Sequence, residues 1–251
     1  MSVKGKELTL ISPDGRRLDG RRPDDIRELK IKAGILENAG GSAYVELGNT
    51  KIYAAVYGPR EVHPRHLALP NRAVIRCRYH MTPFSVEERK SPAPTRREIE
   101  LSKVIRESLT PAIIVEQFPF SAIDIFIEVI NADGSTRCAS IIAASVALAS
   151  AGIPMKDLVA ACSVGKINGV LVLDVTDVED KNGEVDMSFA MMPNRNEITL
   201  LQLDGVLSLE EIERAISMTS KACKEIYEKQ KSALKEKYIE LRKAVEEGAR
   251  T

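Results

Sequence analysis

Two stretches of this sequence put arginine at the start of a helix, the end where the dipole already repels cations. The first is "PAPTRREIEL", with Arg96 and Arg97; the second is "NADGSTRCASIIAASVALAS", where Arg137 follows Ser135 and Thr136. A helix N-terminus offers free N–H groups and partial positive charge, and a cation there is penalised by a few tenths of a kcal/mol up to ~1. A bound anion removes that penalty, and a guanidinium adds bidentate reach toward phosphate or carboxylate. One such helix is ordinarily explained by a neighbouring acid. Two of them in one chain predict an anion site, with inorganic or nucleotide phosphate as the natural occupant. The hydroxyls of Ser135 and Thr136 either cap the second helix or donate to the anion, and spacing leaves both roles open.

A second group is "DVEDKNGEVDMSF", where Asp180 and Asp186 lie six apart around Asn182-Gly183, a turn dipeptide. The expectation is a hairpin. Centred on Gly183, it puts the two carboxylates side by side; a two-residue turn at Asn182-Gly183 puts them on opposite faces. Paired carboxylates raise one another's pKa, which suits a general acid, or hold a divalent cation such as Mg2+. Acids that merely keep a hairpin wet read the same way, and Asp177, Glu179 and Glu184 dilute the signal.

The third group runs from Arg60 to Arg106, with eleven Lys/Arg against five Asp/Glu in an otherwise neutral chain. It holds "VHPRHLALP", with His63, Arg65 and His66, and six prolines between Pro59 and Pro94. A proline-rich basic loop beside arginine-headed helices suggests a path for a polyanion. Tyr53 and Tyr79 offer faces for base stacking, but alternation makes them ordinary strand residues. A metal role for His63 and His66 lacks a third ligand.

The elements that must position these groups follow from periodicity. "ELKIKAGIL", "GSAYVELGNTKIYAAVYGP" and "AVIRCRYHM" read as strands, the second as a hairpin turning at Gly48-Asn49. A helix is expected over about 96–109, opened by Thr95 and Glu98 as a capping box and closed by Pro111. "AIDIFIEVIN" alternates as a strand, then the second helix runs to Gly152. Further strands follow in "DLVAACSVGKINGVLVLDVT", "EVDMSFAMMP" and "NEITLLQLDG", and a long charged helix in near balance of sign closes the chain from Ser208. The order predicts an α+β fold with mixed sheets packed against helices, not a doubly wound sheet. The expected divisions are an irregular arm (1–20), a body (21–220, in parts of about 21–152 and 153–220), and a charged helical extension (221–251).

The 36 basic and 36 acidic residues of this 251-residue chain cancel, so only local clusters carry charge information. No run is apolar enough for a leader or a membrane span. Four scattered cysteines without a CxxC predict reduced thiols and a cytoplasmic setting.

"RLDGRRPDDIR", "HPRHLALPNRAVIRCRYHMTPFS", "PAPTRREIELSKVIRESL", the DGSTR stretch and "DVEDKNGEVDMSFAMMP" together resemble the RNase PH family of phosphorolytic exoribonucleases. The likeness runs in order from about Arg16 to Ser217, and leans to the branch that supplies the catalytic ring subunits of the archaeal exosome. It implies an RNase PH-like fold, inorganic phosphate as co-substrate, and degradation of RNA from its 3′ end to nucleoside diphosphates. It further implies Arg97, Arg137, Ser135 and Thr136 at the phosphate, Asp180 as the acid with Asp186 supporting it or a metal, and Arg96, Arg65 and His66 on RNA. A non-catalytic sister subunit in a hexameric ring and RNA-binding cap subunits are the implied partners. Bacterial members typically carry glycine where Ser135 stands. The alternatives are a homohexamer trimming tRNA 3′ ends, a ring subunit that only threads RNA, and a metal-dependent hydrolase.

Overall fold

A computed structural model describes residues 10–12 and 14–248; the rest of the arm and of the C-terminal extension lies outside the described residues. The first sheet contains β1 (Leu29–Ala33), β2 (Gly41–Leu47), β3 (Thr50–Glu61), β4 (Val74–Met81) and β5 (Ser121–Asn131). Their order is β1-β2-β3-β5-β4, antiparallel except for the parallel pair β4 and β5. The β2–β3 hairpin turns where expected, with Leu47 facing Thr50 and Gly48 at a φ of 56°. The second sheet, wholly antiparallel, has the order β7-β6-β8-β9: β6 (Ala160–Ile167), β7 (Val170–Leu173), β8 (Val185–Met192) and β9 (Glu197–Gly205).

Two helices join the sheets. Helix α1 (Arg96–Leu109) has its capping box: Thr95 Oγ1 accepts from Glu98 N at 3.3 Å, and Glu98 Oε2 accepts from Thr95 N at 2.8 Å. It buries Leu101, Ile105 and Leu109. Helix α2 (Thr136–Ser150) is apolar almost all round, as a helix enclosed by other elements must be, and packs on β2, β3 and β6. Its last turn lies so close to β2 that a Cβ on Gly41 would sit 2.2 Å from Ala151 N, so only glycine fits there. One continuous core therefore runs through both sheets.

One expectation changes. The hairpin at Asn182-Gly183 is instead a helix, α3 (Asp177–Asn182), leading into β8. Local helix chemistry outweighs the turn dipeptide: Glu179 Oε2 accepts from Thr176 N at 2.8 Å and from its hydroxyl at 2.9 Å, and Lys181 pairs with Asp177 one turn back at 2.5 Å. The arm, irregular where it is described, is nonetheless tied down. Ile11 bridges Arg17, whose side chain is buried. The closing helix expected from Ser208 is α4 (Leu209–Gly248), which spans the end of the body and the extension. Its balanced charge masks an apolar stripe through Ala222, Cys223, Ile226 and Ala233, all buried on the body. Ser208 and Glu211 open α4 as predicted, with Ser208 N donating to Glu211 Oε2 at 2.9 Å.

Candidate active site

The starts of α1 and α2, the helix α3 and the first half of β8 surround one cleft of about 850 Å³. Arg97, Arg137, Ser135, Thr136, Asp180 and Asp186 all line it. Arg137 projects from the first turn of α2, where its Nη1 donates to Ser188 Oγ at 2.9 Å. Its buried Nε has no hydrogen-bond partner among the described residues. The bland account of an arginine satisfied by a neighbouring acid therefore does not describe Arg137. It does describe Arg60 and Arg76, which both pair with Asp124, at 2.5 Å for Arg76 Nε.

The two hydroxyls at the start of α2 do not cap it. Ser135 occupies the N-cap position in left-handed backbone, φ 52°, and no side chain caps the helix. Its Oγ lies 2.7 Å from Ser163 Oγ and donates to Val175 O at 3.0 Å. Thr136 Oγ1 accepts from the buried Tyr79 hydroxyl at 3.1 Å, so Tyr79 is a strut rather than a stacking face. The first N–H groups of α2 thus stay free of intrahelical and side-chain capping partners. No acid occupies that first turn.

Opposite stand the carboxylates. Burial, and then repulsion from Asp180, push the Asp186 carboxyl above the ordinary range, while Arg137 and Arg97 pull it back. Asp180 is exposed. The α3–β8 junction thus brings the two acids to one cleft without the predicted hairpin. Loop and helix are in direct contact: a Cβ on Gly134, which has φ +69°, would lie 2.7 Å from Asp177 N, the first residue of α3.

Against known proteins, the chain matches the model of the 3′ exoribonuclease family over both its parts, domain 1 across residues 25–154 and domain 2 across 157–222. The chain belongs to the RNase PH family. It is 58% identical over 246 residues to exosome complex component Rrp41 of Pyrococcus furiosus, covering 98% of each chain. Against the Methanopyrus kandleri component of that name identity is 60% over 229 residues, 91% of this chain and 96% of the other. Among solved structures, rice Rrp46 aligns with a TM-score of 0.77 at 26% identity, over 87% of this chain and all of that one. The Archaeoglobus fulgidus exosome with RNA bound to its active site shares the fold, with a TM-score of 0.76 over 86% of this chain and 93% of that one, at 22% identity.

Within this RNase PH-family fold, three predicted residues stand apart from the cleft. Arg65 and His66 sit on an exposed 3-10 turn, Arg65–Leu67, and Arg65 Nε pairs with Glu61 at 2.8 Å. Arg96 is exposed beside Arg97 but does not line the cleft. No three metal-binding side chains come together among the described residues, and His63 and His66 gain no third ligand. Sequence reasoning missed Ser188, which lines the cleft and holds Arg137. Alternation from Asp186 along "EVDMSFAMMP", already read as a strand, was the signal that could have found it. It also missed Lys90, which lines the cleft and whose Nζ reaches Met81 Sδ at 3.1 Å.

Proposed function

We propose that this chain is a phosphate-dependent 3′→5′ exoribonuclease, working as the catalytic subunit of an exosome ring. The observation that carries the reading is convergence: arginines from two separate helix starts meet two carboxylates across one cleft. Kinship with proteins named exosome complex components supports a setting within such a complex, which we read as a ring.

Inorganic phosphate sits between Arg97, Arg137 and the open start of α2, which together offset its repulsion from the RNA phosphate. A phosphate oxygen attacks the terminal phosphodiester in line. The bond to the preceding nucleotide's 3′-oxygen breaks, and Asp180 supplies the proton that this oxygen takes up. The products are a nucleoside 5′-diphosphate and an RNA one nucleotide shorter. A phosphoester has been exchanged for a phosphoanhydride, so excess diphosphate drives the reverse reaction and adds untemplated tails. Ser135 and Thr136 shape the phosphate seat through backbone N–H groups; the Ser135 hydroxyl donates to Val175 O, while the Thr136 hydroxyl accepts from Tyr79 and keeps its own proton for the anion.

Arg96, exposed outside the cleft beside Arg97, grips RNA on its approach. Arg65 and His66 lie on a separate loop and meet RNA once a non-catalytic sister subunit completes the hexameric ring, with RNA-binding cap subunits above it. Contacts to the RNA backbone leave sequence preference low. Asp180 and Asp186 suit Mg2+, which is commonly held by one or two carboxylates plus substrate phosphate; it would relieve their mutual repulsion. No helix among the described residues is long and apolar enough to cross a membrane, and the four thiols are free, in keeping with a cytoplasmic setting.

The test is product analysis with internally labelled, unstructured RNA, with and without phosphate, using the chain alone and with its sister subunit. Diphosphates formed only with phosphate support the proposal, and dependence on the partner supports the ring. Monophosphates formed without phosphate would contradict it.

A further inference from the structure

The arm motif "GRRLDGRR" is absent from the mechanism above, yet one of its arginines, Arg17, points inward. Arg17 has one of the largest fully buried side chains of the molecule, with 2% of the residue exposed. Its Nε donates to Glu179 Oε1 at 2.8 Å, and its Nη2 pairs with the other carboxylate oxygen. The same guanidinium donates to the carbonyls of Leu173, at 2.5 Å, and Asp174, at 2.9 Å. Nearby, Arg27 clasps the buried Asp174 carboxylate, at 2.8 and 2.6 Å, and donates to the Asp133 carbonyl.

These contacts fall on both sides of a joint. Asp174 leads into α3, and Glu179, the acid that closes the start of α3, is the residue before Asp180. Asp133 belongs to the loop that leads into α2, and its carboxylate accepts from the first N–H of α3, Asp177 N, at 3.3 Å. Helix α3 has six residues, too few to hold itself together in water. Its placement must come from outside, and the buried guanidinium of Arg17 is the largest tie it has. A group bound to a carboxylate and two carbonyls by a planar fork fixes direction as well as distance.

We infer that Arg17 is a positioning residue for turnover, holding Asp180 through Glu179 while leaving the phosphate seat to α1 and α2. This rests on the reading of Asp180 as the acid given above. A lysine at position 17 keeps the charge but cannot bridge Glu179 and both carbonyls at once. Misplacing a reacting group by an ångström costs rate rather than ground-state binding.

The test uses Arg17→Lys and the near-isosteric Glu179→Gln in the full chain assembled with its ring partner, with oligoadenylate and inorganic phosphate as substrates. For Arg17→Lys, kcat falls about tenfold or more while the phosphate KM stays within about twofold. Amide exchange speeds up in residues 177–182 and stays at the wild-type rate in α2. Glu179→Gln moves both readouts the same way by less, and it carries the test alone if Arg17→Lys fails to fold. A kcat within about twofold of wild type in a folded variant would overturn the inference, as would a phosphate KM that rises by the same factor as kcat falls. If the wild type made no diphosphates, the functional reading would fail instead. Exchange would still decide the clamp, and unchanged rates in 177–182 would refute it.

Discussion

Helices α1 and α2 both begin with arginine at the same cleft, but they begin differently. The start of α1 is closed by its own side chains: Thr95 caps it, and Glu98 both returns to Thr95 and accepts from Met81 N at 2.9 Å. The start of α2 is open, with a left-handed Ser135, no capping side chain and no first-turn acid. Helix α1 thus has its own compensation for a positive end, and Arg97 serves as a guanidinium carried on a stable platform. Helix α2 has none, so in the proposed reading its N–H groups and Arg137 act together on the anion. Two motifs that look equivalent as strings divide the work unequally.

The difference sets an order of effects. Arg137→Ala should raise the phosphate KM about 10- to 100-fold, the worth of a charged hydrogen bond. Arg97→Ala should raise it by a smaller factor; equal factors in phosphate titrations would erase the distinction between the helices. Next comes the carboxylate that both arginines address. The raised pKa of Asp186 means that the folded chain carries its ionised form at a cost above the ordinary carboxylate range. Asp186→Asn should therefore raise the melting temperature at pH 7 by about 2 °C. That gain should fade as pH drops through the raised value and be gone below 3.8, where the carboxyl is neutral folded and unfolded alike. A gain that persists in acid, followed by calorimetry, would point to packing rather than charge.

Closing the comparison from the other side, Thr95→Ala should destabilise the chain by about 1 kcal/mol, the usual loss of an N-cap, and leave the phosphate KM alone. A shifted KM would mean that the start of α1 is less self-sufficient than its capping box suggests. The smallest effect is expected for Ser135→Gly. Glycine accepts the left-handed backbone, and the lost hydroxyl faces Ser163 and Val175 rather than the phosphate seat. The phosphate KM should change less than about threefold; a larger rise would place the hydroxyl on the anion.

Much of this was legible in the chain. Periodicity with a capping box located α1, and small apolar residues bounded by Gly134 and Gly152 located α2. Resemblance supplied the family. The Asp180–Asp186 region was misread because Asn-Gly is a turn signal only where strands flank it; here Thr176 and Glu179 had already committed the chain to a helix. The tie between arm and body was not legible because arginine usually marks solvent, whereas Arg17 is buried against an acid 162 residues away, a pairing that no local pattern records. Composition hid the packed part of α4 in the same way. Arg65 is the converse case: its motif was recognisable, but the single chain leaves it in solvent beside Glu61.

The most direct test of the central claim supplies 32P-labelled inorganic phosphate with unlabelled RNA and follows the label in the wild type and in Arg137→Ala. The account predicts label in the β-phosphate of the released nucleoside diphosphates, recovered in Arg137→Ala only at much higher phosphate concentration. Unlabelled monophosphates as the product, or the same phosphate dependence in both proteins, would contradict it.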